Sequence, residues 1–108
     1  MANVRKPLGQ ATLSATTLTD VYTVPGGTQT TISTVFVCNR GSATTFRLAV
    51  AIAGAGGANA QYLYYDQAIG ANTTFPITCG ITLAATDVLR AYAGSANVSV
   101  NIFGEEES

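Results

Sequence analysis

The sequence has no histidine and no tryptophan, one methionine, two cysteines and only 10% charged residues in 108. Each shortage removes a class of function. Without histidine, neither a Ser-His-Asp triad nor a Cys-His pair can be assembled. With two cysteines and no C-x-x-C spacing, a tetrahedral zinc site lacks ligands. No metal or cofactor is expected. Charge is scarce beside the usual share of about 25%. Arg5 and Lys6 stand near one end, and Glu105, Glu106 and Glu107 near the other. Between them lie only Arg40, Arg47, Arg90, Asp20, Asp66 and Asp87. Two adjacent basic residues are too few to track a phosphate backbone, so no nucleic-acid partner is expected. Residues 48–53, the longest aliphatic run, are too short to cross a bilayer. No apolar stretch follows MANVRKPLGQ, so a secretory leader is not expected and synthesis is placed in a cytoplasm.

What remains is polar, small and β-forming. With a net charge of −1, the surface must be mostly Thr, Ser, Asn, Gln, Gly and Ala. Burying such a surface against another chain desolvates few charges, which favours assembly. The hydrophobic pattern alternates, and no segment holds a helical period. Residues 18–24 and 29–38 read as a hairpin about Pro25-Gly26-Gly27, where proline fixes φ and glycine accepts positive φ. Residues 44–53 alternate most cleanly. Phe46, Leu48, Val50 and Ile52 face one way, and Arg47, Ala49, Ala51 and Ala53 the other. Gly54–Ala60 reads as a flexible hairpin loop, since Asn59 replaces the third glycine of a dinucleotide fingerprint. Residues 61–66 and 72–78 are further strands, and Pro76 marks the second as an edge or bulge. Residues 81–85 add a short strand, and 87–93 with 97–103 a last hairpin about Gly94-Ser95-Ala96.

This pattern predicts an all-β chain with a single antiparallel β-sandwich, jelly-roll or immunoglobulin-like in topology. Residues 1–17 form a short N-terminal arm, 18–104 the sandwich, and 105–108 an acidic tail. The aspartates stand beside turn residues, where capping of the backbone is their expected role. Strict alternation puts Tyr62 and Tyr64 on one face, with Leu63 and Tyr65 on the other. Tyr62, Tyr64, Tyr65 and Arg47 are the candidate interface residues, because tyrosine and arginine are enriched at contacts. Cys38 and Cys79 read as buried thiols, with a bridge between them as the alternative once the protein leaves a reducing cell. No residue set is assigned to catalysis.

Several stretches carry a resemblance. They are LTDVYTVPGGT (residues 18–28), VCNRG (37–41), TFRLAV (45–50), YLYYD (62–66), ITL (81–83) and Asp87-Val88. Together they resemble a group of small virion-associated structural proteins of tailed bacteriophages. The resemblance implies a particle component made in the host cytoplasm and located in the virion. A capsid decoration (cement) protein is the favoured role, as a homo-oligomer, trimeric by preference, seated on the major capsid protein or another virion protein. The alternative is a tail, neck or fibre-associated component binding a host-surface glycan.

Overall fold

β-Branched and aliphatic residues at alternate positions give each strand one face to bury. The computed structural model describes residues 3–108, apart from the Cys79 side chain. Its strands are β1 (Asn3–Thr12), β2 (Thr19–Thr23), β3 (Gln29–Asn39), β4 (Thr44–Ala51), β5 (Tyr62–Ile69), β6 (Thr73–Leu83), β7 (Val88–Ala93) and β8 (Val98–Glu107). They form two four-stranded sheets, ordered β1-β8-β3-β6 and β2-β7-β4-β5. All strand pairings are antiparallel. This is the strand order of a jelly roll and not of an immunoglobulin domain. Between the sheets lie Ile32, Val35 and Val37 of β3, Phe46 and Leu48 of β4, Leu89 of β7, and Val98, Val100 and Ile102 of β8, all buried.

The expected first and last hairpins are instead crossings. β2 and β3 belong to different sheets, as do β7 and β8. Pro25-Gly26-Gly27 therefore carries the chain across the sandwich, with Gly27 at φ +73° and the Thr28 N–H donating to the Pro25 carbonyl at 3.2 Å. Because β2 pairs antiparallel with β7 and β3 with β8, the two crossings lie at opposite ends of the sandwich: Val24 bonds to Asp87 and Thr86 of the link between β6 and β7, and the Asn97 carbonyl accepts from Arg40 in the link between β3 and β4. Of the links between consecutive strands, the one joining β4 and β5 keeps the chain in the same sheet. Residues 72–78 and 81–85 are not separate strands. β6 runs through both, absorbing an extra residue between Thr78 and Ile81 opposite β3. It forms the edge of its sheet, as Pro76 indicates.

The two ends of the chain also depart from expectation. The segment expected as an arm contains β1, which pairs with β8 from Asn3↔Glu107 to Thr12↔Ser99 with a register shift at Pro7/Gly9. Leu13 then enters the core. The acidic tail is likewise the last part of β8, held between β1 and β3. The opposite charges at the two termini are cross-strand partners. Arg5 lies 3.4 Å from Glu105, and Lys6 Nζ lies 3.0 Å from Glu106. β1 shows little apolar alternation because most of it is exposed, and its order comes from the ladder with β8 and from Leu8 and Ala11, which pack against the core.

Glu106 also faces inward. The Tyr22 hydroxyl donates to its Oε2 at 2.5 Å, and the buried Thr30 hydroxyl, 2.8 Å from Tyr22 Oη, is left to donate to the phenol oxygen. The hydrogen bond from Tyr22, then that from Lys6, holds the Glu106 carboxyl below its ordinary value. Burial, reinforced by Glu106, pushes the Tyr22 phenol up to about 12. A depressed carboxyl stabilises the fold above its unfolded pKa, and that contribution disappears as pH falls through the folded value. The raised phenol stabilises it below pH ~10, and that contribution is lost as pH rises through about 12. Urea midpoints measured across pH should therefore fall at both ends. Glu106→Gln should flatten the acid limb, and an acid limb identical in the variant would refute this assignment.

Candidate functional site

The interface residues expected from sequence are divided by the structure. Tyr64 turns inward, its ring 5.9 Å from both Phe46 and Phe75. Tyr62 and Tyr65 share the outer face, edge to face with centroids 4.9 Å apart. Strict alternation forbids that pairing, and a single register shift between the two residues produces it, with a second shift following. Ala49 pairs with Tyr62 and Leu48 with Tyr64, so Leu63 is extra. Phe46 pairs with Gln67, so β5 accommodates a second extra residue near Asp66. Asp66 takes a left-handed φ of +51° there. Bulges of this kind re-aim side chains.

Arg47 is the centre of the outer cluster. Its guanidinium lies 4.0 Å from the ring centroid of Tyr65, 4.3 Å from that of Tyr92 and 5.8 Å from that of Tyr62. Tyr92 is brought in by its register opposite Arg47 in β7. Arg47 Nε donates to Asp66 Oδ1 at 2.7 Å and Nη2 to Oδ2 at 3.4 Å. That bond, foremost, raises the guanidinium above its already high ordinary pKa. The group is thus permanently charged, locally neutralised and stacked on aromatic faces.

A second ion pair organises the neighbouring loop. Arg90 Nε donates to Asp20 at 2.7 Å, while its Nη1 and Nη2 donate to the carbonyls of Ala55 and Gly54 at 2.7 and 3.2 Å. Gln61 donates to the Gly56 carbonyl at 3.0 Å and accepts from the Ala58 N–H at 3.3 Å. The glycine-rich segment expected to be flexible is therefore tethered from both sides. Asp87 alone of the three aspartates acts as the expected backbone cap, accepting from the N–H groups of Ala53 and Ala84 at 2.9 Å each. Asp20 and Asp66 neutralise arginines instead. The strand alternation also ends early, since β4 stops at Ala51 and Ile52 is 74% exposed.

The opposite outer face, on the β1-β8-β3-β6 sheet, has a different chemistry. Gln10 and Thr12, Ser99, Asn101 and Phe103, Thr34, Phe36 and Cys38, and Thr74, Pro76 and Thr78 form four successive rows without a formal charge. Phe36 and Phe103 meet edge to face at 5.9 Å in their midst, and Phe36 is 38% exposed. Charge returns only beyond Phe103, at Arg5 and Glu105. Cys38 is a free thiol in this face, opposite Thr74 and Ser99. The Cys79 side chain, the other half of the alternative bridge, lies outside the described residues.

Among the described residues, no group of three or more His, Cys, Asp or Glu could hold a metal ion. None of their helices is long and apolar enough to cross a membrane. Sequence reasoning found Arg47, Tyr62 and Tyr65 but missed Tyr92, Asp66 and Asn59, which complete their surroundings. Two arginines and two aspartates among six internal charges were the available signal. Compared with protein-family models, curated proteins and solved structures, the chain finds no match in any of the three.

Proposed function

We propose that the protein is a structural component of a tailed-bacteriophage virion that acts by contact and performs no reaction. Capsid decoration is the favoured role, as a homo-oligomer with a trimer preferred. The carrying observation is the uncharged outer face of the β1-β8-β3-β6 sheet with its Phe36–Phe103 pair. A face of this composition buries against another chain without leaving a charge unpaired, and exposed aromatics anchor such contacts. Many identical copies on a lattice add avidity, so each contact can be modest. The sequence resemblance to virion-associated proteins supplies the setting. The jelly-roll order adds little to that argument, because one fold serves many functions.

Electron microscopy of purified particles tests the role. Copies spread over the head surface are expected for decoration, and a few copies at a vertex or along the tail favour the neck, tail or fibre alternative. Absence from particles removes the reading. Self-association has its own test in Phe36→Lys. An ammonium placed in this face must be desolvated on contact, so association should weaken about a hundredfold by light scattering while circular dichroism is unchanged. An unaltered oligomer would move the subunit contact to another surface.

A further inference from the structure

We infer that the depression bounded by Asn59, Tyr62 and Tyr65, on the sheet opposite the uncharged face, binds a neutral pyranose. It is a shallow, open depression of about 420 Å3, large enough for a single sugar ring laid against it. Tyr65 is 57% exposed yet fixed, edge to face with Tyr62 and stacked on Arg47. An immobilised aromatic ring packs against the C–H face of a sugar at little conformational cost. The Asn59 amide supplies two donors and an acceptor for ring hydroxyls, and it has no protein hydrogen-bond partner among the described residues. The Tyr65 hydroxyl is free in the same sense.

The site is braced on both sides before any ligand arrives. Asp66 and Tyr92 hold Arg47 behind the rings. Arg90 and Gln61 hold the loop that carries Asn59. Such preorganisation lowers the ordering cost of binding.

Charge selects the ligand. Both arginines face their own aspartates at 2.7 Å, so neither is left to hold a phosphate or carboxylate. A nucleotide or an acidic sugar would therefore lack its counter-charge. The three lining residues by themselves match a single small ring and fall well short of the ~800 Å2 per partner of a stable protein interface. A neutral ring with both an apolar face and an equatorial set of hydroxyls uses every group present.

Saturation-transfer NMR on the full chain with the methyl glycosides of glucose, galactose, mannose and N-acetylglucosamine tests the assignment. Transfer to ring protons of at least one glycoside is expected, with amide shifts confined to Asn59, Tyr62, Tyr65 and their neighbours. Tyr65→Ala should weaken binding about tenfold, whereas Tyr65→Phe should stay within about threefold. Asn59→Ala, on the loop, should weaken it about fivefold. Both side chains are on the surface, so the variants should retain the wild-type circular dichroism. No transfer from any of the four, binding indifferent to Tyr65→Ala and Asn59→Ala, or binding confined to sialic acid or nucleosides would each overturn the assignment. The result is separable from the assembly reading, which rests on the other sheet and is decided by particle microscopy.

Discussion

Replacing Phe46 with alanine should cost about 3–5 kcal/mol, the usual loss for a large aromatic removed from a core. Phe46 is 1% exposed and lies 5.3 Å from the Phe75 ring and 5.9 Å from that of Tyr64. These rings come from β4, β5 and β6, so the triad joins the two sheets on the side where β5 and β6 are the edge strands. Truncation removes the shared partner of both contacts and leaves a void that backbone ladders on either side hinder from collapsing. A domain of this size is typically stable by only about 5–15 kcal/mol. The melting temperature should therefore fall by about 12 °C or more, with the urea m-value unchanged if the variant still unfolds in two states. A loss below about 1 kcal/mol would mean that the edge repacks around the gap.

Gly104→Ala should be nearly as damaging, although it adds a single methyl group. A β-carbon there would run into the Thr31 carbonyl oxygen and come within 3.0 Å of Ile32 Cα and Leu8 Cδ1. Two of those three neighbours are backbone atoms, which cannot rotate aside. Gly104 pairs with Ile32 where the β3–β8 register shifts, so relief requires the central ladder to part. A loss of about 3 kcal/mol is expected, at the upper end for overpacking. Gly26→Ala is the matched control, because nothing lies within 4 Å of its added carbon and its φ is not positive. It should be neutral or stabilising by up to about 1 kcal/mol through the unfolded chain. Equal urea midpoints for the two variants would show that the close approach at Gly104 is not needed.

The parts legible in the sequence are those set by short-range chemistry. Alternation located β3, β4 and β7, and Pro76 placed β6 on an edge. Local signals fail where two structures share one signature. Pro25-Gly26-Gly27 reverses the chain equally well within a sheet or between sheets, and only the partners of β2 and β3 decide. Period-two reasoning likewise put Tyr62 with Tyr64. The extra residue Leu63 in β5 overrode it, and no composition cue marks it. β1 was hidden because an exposed edge strand needs no apolar face, and its Pro7 and Gly9 resemble loop residues. Arg47 was found through its residue type, but its stacking on Tyr92 depends on a pairing between β4 and β7 that only the folded register brings about.

The pairing of β1 with β8 bears on how the protein is made. Asn3 leaves the ribosome well before Glu107, yet these two residues face each other in the finished ladder. The β4–β5 hairpin can close while translation is under way. β3 can pair with β6 once that strand is made, but β1 and β3 cannot be joined before β8, which lies between them. Nascent β1, and the edge of β3 that will receive β8, therefore stay unpaired until the last strand is made. The first strand, largely exposed and carrying Arg5, Lys6 and Pro7, suits that interval, because an edge with charges and a proline and without a continuous apolar face is a weak template for aggregation.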